Sequence, residues 1–231
     1  MDIALVHGAY HGAWCWDYLR PELELLGHRV IAVDLPVSDP GLGGDDHARL
    51  VEDAVAGSEA PIVVGHSMGG LIVPLVAARR PVRRLVFLAA MLPLPGVSAN
   101  DQRAAEPIDG RFSLRTAEWT DLGDDVWAIG PATATELFFH DVPSDVVDWA
   151  LKRLRPQSYR VFHEITPLAA WPAVESSVIV CDDDHAVNPD WVRMAARARL
   201  GVEAIEIPGG HSPFLSRPHE LAAAIHACAT A

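Results

Sequence analysis

Short runs of apolar, often β-branched residues recur along the chain and alternate with longer stretches whose apolar positions fall three and four residues apart. The short runs lie at 3–7, 28–33, 62–65, 84–89, 177–181 and 202–207, and their length and composition predict strands. The longer stretches, at 13–26, 45–56, 67–79, 189–200 and 218–229, predict amphipathic helices. Strands that alternate with helices build a parallel sheet covered on both faces. The expected architecture is therefore α/β, a mostly parallel six-stranded sheet flanked by helices.

The rhythm stops between Leu92 and Pro172, where the chain becomes rich in Pro, Asp, Trp and Phe. This divides the chain into a core, residues 1–91 and 173–231, and an inserted cap, residues 92–172, with helical patches at 133–139 and 145–154. Ser144, after Pro143, is placed to cap the second patch. Trp119, Trp127, Phe138, Phe139, Trp149 and Trp171 give the cap its aromatic load. Most should pack the subdomain, and one or two facing the core are candidates to line a pocket. The same exposed rings would suit a homodimer interface, which this reading leaves open.

Composition narrows the partners. The 231 residues suit one core domain with an insertion, and half of them are apolar, which argues against disorder. The net charge of −13 repels polyphosphate and the arginines do not cluster, so nucleic-acid binding is not expected. No run of 18 apolar residues occurs and the N-terminus reads directly into a strand, so neither a membrane span nor a signal peptide is expected. Three scattered cysteines, Cys15, Cys181 and Cys228, form no CxxC pair, which points to reduced thiols in a cytoplasmic protein.

The candidate chemistry centres on Gly65-His66-Ser67-Met68-Gly69, a G-x-S-x-G run entered from the apolar strand Ile62-Val63-Val64 and followed by helix. A tight strand-to-helix turn of this kind forces its serine into a strained conformation and tolerates only small residues two positions to either side. Ser67 is thus the candidate nucleophile. A serine hydroxyl needs a base to take its proton and donors to hold the oxyanion. His211, in a Gly-rich turn after the last predicted strand, stands where this arrangement places its base. The acid should fall between the two in sequence, and Asp182, Asp183 and Asp184 all stand in the loop after the 177–181 strand. Position alone does not choose; the Asp-x-x-apolar-x-Pro spacing of Asp184 to Pro189 favours Asp184. The expected oxyanion donors are the backbone N–H groups of Met68 and of Ala9, in the loop His7-Gly8-Ala9.

These segments resemble the plant methylesterase and hydroxynitrile lyase branch of the α/β-hydrolases. The resemblance rests on His7 to Trp16, Leu25 to Val30, the elbow Gly65 to Gly70, Val86 to Ala90, Gly201 to Ile207 and, in the cap, Leu154-Arg155-Pro156-Gln157. It covers nearly the whole chain and is weakest over 97–132. It implies an α/β-hydrolase fold with a helical cap, the triad Ser67, Asp184 and His211, and no cofactor. Lyases of the branch carry threonine where Gly8 stands and lysine where Ser212 stands. The departures favour a serine esterase acting on a small, apolar aryl or methyl ester. A hydroxynitrile lyase and a ligand-binding receptor that keeps the triad are the alternatives.

Overall fold

The computed structural model describes residues 1–109 and 118–231. Six strands, β1 (Asp2–Val6), β2 (Arg29–Val33), β3 (Ile62–His66), β4 (Arg84–Leu88), β8 (Ser176–Cys181) and β9 (Ile205–Ile207), form one sheet in the order β2-β1-β3-β4-β8-β9. Every neighbouring pair is parallel. Because the order reverses between β1 and β3, the loops leaving their C-terminal ends open a crevice, the position at which sheets of this kind hold ligands. The loop His7-Gly8-Ala9 and the Ser67 turn face that crevice from adjacent strands, with Val6 opposite Gly65 in register.

Alternation along the strands divides the core in two. Ala4, Val6, Val63, Leu85, Phe87, Val178 and Val180 face one side. Ile3, Leu5, Ile62, Val64, Val86, Leu88, Ile179 and Cys181 face the other. Both faces are covered, which is why these strands read as continuous apolar runs. The first face carries α2 (Gly44–Ala54), α3 (Gly69–Ala77) and α8 (Pro189–Ala195), the last continued by a π turn over Ala196–Leu200. The second carries α1 (Leu19–Leu25), α9 (Pro213–Ser216) and α10 (Pro218–Thr230). The expected helix over 13–26 is broken: a 3-10 turn, Ala13–Trp16, precedes α1.

Between β4 and β8 the chain leaves the main sheet. It forms α4 (Ala99–Ala105), α5 (Pro131–Phe138), α6 (Ser144–Leu151) and α7 (Arg160–His163). A second, antiparallel sheet joins β5 (Trp119–Asp121), β6 (Val126–Ile129) and β7 (Gln157–Ser158). These strands are two to four residues long, too short to carry an alternation signal. One sequence expectation is corrected: Ser144 is the first helical residue of α6, Pro143 occupies the cap position, and no side chain caps that end. The Pro143 carbonyl instead accepts from the amides of Val146 and Val147. By contrast, Ser98 does cap α4, accepting from the Asp101 amide at 3.0 Å.

Candidate active site

β3 ends at His66 and α3 begins at Gly69, leaving two residues to reverse the chain. Ser67 takes φ +53° to do so, a left-handed conformation that costs a non-glycine residue about 1–3 kcal/mol. Surrounding contacts hold it there. Its N–H donates to the Leu88 carbonyl, and its carbonyl accepts from Gly70 and Met91. The flanking glycines are required by contact: a Cβ on Gly65 would lie 2.8 Å from the Gly69 carbonyl, and one on Gly69 2.7 Å from the Val6 carbonyl.

His211 lies between β9 and α9 and is buried. Its Nδ1–H donates to Asp184 Oδ2 at 2.8 Å, so the lone pair of the neutral ring sits on Nε2. The other oxygen of Asp184 accepts the amides of Ala186 at 2.8 Å and Val187 at 3.0 Å. Three donors thus fix the orientation of this buried carboxylate. The neighbouring acids do other work. Asp182 accepts the Gly209 amide at 2.9 Å and braces the histidine loop, while Asp183 faces His140 and His185.

The elbow and the histidine loop meet through His66, a residue without an assigned role in the sequence analysis. Its Nε2–H donates to the His211 carbonyl at 2.9 Å, and the two rings lie 4.5 Å apart. Burial holds the His66 imidazole well below its ordinary pKa, so it is neutral. Among the described residues the Ser67 hydroxyl has no hydrogen bond, including to His211. Catalytic hydrogen bonds are commonly loose without substrate.

Across the crevice, the loop after β1 approaches so closely that a Cβ on Gly8 would stand 2.7 Å from Ser67 Cβ. Neither the Ala9 nor the Met68 amide is spent in the turn and loop hydrogen bonds of the described residues. His7 anchors this loop: its Nε2 accepts the Leu35 amide at 3.0 Å and its Nδ1–H donates to the Gly8 carbonyl at 2.9 Å. Burial pushes the His7 pKa down to about 4 and that of His11 down to about 3.

Residues from the segment between β4 and β8 complete the surroundings. Arg155 donates to the His11 carbonyl at 2.7 Å, to the Leu35 carbonyl at 3.0 Å and to Asp34 at 3.0 Å. Its amide reaches the Tyr10 carbonyl, and the Gln157 side chain accepts the Tyr10 amide. Tyr10, at φ +64°, is thereby pinned from the far segment. Phe138 sits 5.6 Å from the His211 ring and 5.3 Å from that of His11. His140 and Asp141 press so near the histidine loop that a Cβ on Gly210 would meet His140 at 2.4 Å. Of these contacts, the sequence offered a signal for Arg155 and Gln157, through the Leu154-Arg155-Pro156-Gln157 likeness, and for Phe138, through the aromatic load of the segment.

A serine held in a left-handed turn at a sheet switch point, with the loop after β1 close against it and a buried His–Asp pair tied to its strand through His66, is the arrangement of the Alpha/beta hydrolase family. The pattern of that family matches residues 3–224, and the chain belongs to it. Its relatives place it further, in the methylesterase-like branch. Methylesterase 3 of Arabidopsis thaliana is 29% identical over 252 residues, covering 96% of this chain and 93% of the relative. The pyrethroid hydrolase of Sphingobium wenxiniae is 30% identical over 240 residues, covering 97% and 86%. Crystallised polyneuridine aldehyde esterase superposes with a TM-score of 0.85 at 22% identity, covering 99% of this chain and 98% of its own, a likeness of fold.

Proposed function

We propose that the chain is a serine carboxylic-ester hydrolase with Ser67 as nucleophile, His211 as general base and Asp184 as the acid that orients it. The observation that carries this reading is the buried 2.8 Å His211–Asp184 bond beside a serine held at φ +53°. His211 Nε2 takes the Ser67 proton as Oγ attacks the ester carbonyl carbon. The resulting oxyanion accepts from the amides of Ala9 and Met68, each worth about 3 kcal/mol at the transition state. Collapse breaks the carbonyl–alkoxide bond and His211 protonates the leaving alcohol. Water, deprotonated by His211, then attacks the acyl-enzyme and releases the acid. Asp184 stays ionised and stabilises the imidazolium.

The segment 92–172 acts as the cap that selects the substrate. Phe138, Tyr10 and Trp119 form a connected aromatic group beside His211, with Tyr10 and Trp119 stacked at 6.1 Å. Such a wall suits a small apolar ester with an aryl group or a methyl alcohol. Hydrolysis is favoured over cyanohydrin cleavage by two positions. A threonine at position 8 would drive its Cβ to 2.7 Å from Ser67 Cβ, and Ser212 is fully buried where a lyase would need an ammonium.

The test is a panel of p-nitrophenyl and methyl esters assayed with the wild type, Ser67→Ala and His211→Ala. We expect turnover by the wild type and a loss of kcat on the order of 10⁴–10⁶ in either variant. No turnover of any ester by the wild type would overturn the esterase reading, and release of cyanide from a cyanohydrin would replace it with the lyase.

A further inference from the structure

Beside the His–Asp pair, three side chains outside the proposed triad converge. Asp183 and His185, the residues on either side of Asp184, point at His140, which follows α5 in the segment between β4 and β8. We propose that His140, Asp183 and His185 bind a divalent transition metal ion such as Zn²⁺, stapling that segment to the loop that carries Asp184.

The donor set is the first argument. Two imidazoles and one carboxylate are ligands that zinc and its neighbours prefer, with bonds near 2.0–2.2 Å. Their ligating atoms all lie within 4.8 Å of one another. Two ligands at about 2.05 Å from a tetrahedral ion stand about 3.4 Å apart. His140 Nε2 is 3.4 Å from Asp183 Oδ2, and His185 Nε2 is 3.8 Å from Asp183 Oδ1. The two rings lie nearly parallel, so one imidazole must turn out of the stack for both lone pairs to meet a single ion.

Ring orientation is the second. His185 Nδ1–H donates to the Glu136 carbonyl at 3.1 Å, and the Glu136 carboxylate lies 3.1 Å from the same nitrogen. A carboxylate behind one nitrogen is the arrangement that fixes a metal-binding tautomer, leaving the lone pair on the other. That nitrogen, Nε2, is the one facing Asp183. The rings of His140 and His185 lie 3.7 Å apart, and each has its Nε2 beside a carboxylate oxygen of Asp183. Both nitrogens of His140 are buried without a hydrogen bond. Asp183 is half exposed, which gives an ion a route in from solvent.

The experiment is titration of metal-free protein with ZnCl₂ by calorimetry, with melting curves alongside, on the wild type, His140→Ala, His185→Ala and Asp183→Asn. The wild type should take up one equivalent, and its Tm should rise by about 5–10 °C at a hundredfold excess over Kd. Each variant should bind at least tenfold more weakly while remaining folded. A wild type that takes up no zinc, or variants that bind like it, would overturn the proposal. Should a variant fail to fold, a zinc-soaked wild-type crystal decides. Anomalous density within about 2.3 Å of His140 and His185 supports the site, and density elsewhere or none refutes it.

Discussion

The six-stranded sheet and the segment between β4 and β8 reach the same site by different means. The sheet supplies backbone: the left-handed Ser67, the amides of Ala9 and Met68, and two loops that hold Asp184 and His211. The intervening segment supplies side chains that fix those loops from outside, with Arg155 and Gln157 on the loop after β1 and Asp141 and His140 on the histidine loop. Chemistry in this fold is set by strand ends, and its precision depends on a segment that follows no strand rhythm.

Substitutions at the two kinds of position should separate these contributions. The largest effect belongs to the acid loop. Asp184→Asn should lower kcat by about 10⁴ with KM little changed, because the amide presents the wrong partner to His211 Nδ1–H. Asp182→Asn and Asp183→Asn should each cost less than tenfold. Steady-state kinetics on one good ester checks all three, and an equal loss in Asp182→Asn or Asp183→Asn would break the assignment.

Arg155→Ala probes the other region. Removing the guanidinium frees the His11 and Leu35 carbonyls and Asp34 together, and the loop that carries the Ala9 amide loses its brace. A displaced oxyanion donor should reduce kcat about 10–100-fold, with Tm lower by about 5 °C. Wild-type kcat with a lowered Tm would limit Arg155 to a structural role.

A separate effect, on stability and not on turnover, is the dependence on pH. His7 and His11 are held neutral in the fold, with pKa about 4 and about 3, against 6.5 in the unfolded chain. Well above pH 6.5 neither state is protonated and the two contribute nothing. As pH falls from 6.5, the unfolded chain binds protons that the fold does not, so stability is lost progressively toward those lower values. Each should cost about 2 kcal/mol between pH 7 and pH 5. Urea midpoints at the two pH values measure this, and His7→Asn, which has no group to titrate, should flatten part of the slope. An equal slope in His7→Asn would contradict the assignment of His7 as a buried neutral ring.

The same contrast explains what could be read from the chain alone. Ile62-Val63-Val64 before Gly65-x-Ser67-x-Gly69 announces the elbow because a parallel strand and its turn are local in sequence, and His211 follows from its place after the last strand. Asp184 needed spacing to separate it from two neighbours, and the structure puts its carboxylate on His211. The His66 bond to the His211 carbonyl spans 145 residues and the Arg155 clamp 144, and no periodicity encodes contacts of that range. The small β5-β6-β7 sheet leaves no alternation in the sequence because its strands are too short, and the expected Ser144 cap does not form because Pro143 takes the cap position and Ser144 the first helical one.

Reaction of the protein with a fluorophosphonate, followed by peptide mapping, tests the central claim most directly. The reagent forms a stable bond only with a serine whose proton is being withdrawn, so it reads the nucleophile, its base and its oxyanion donors at once. The account predicts one adduct per chain on Ser67, none in Ser67→Ala, and labelling slowed by orders of magnitude in His211→Ala. A wild-type chain that stays unlabelled, or an adduct on any other residue, would contradict it.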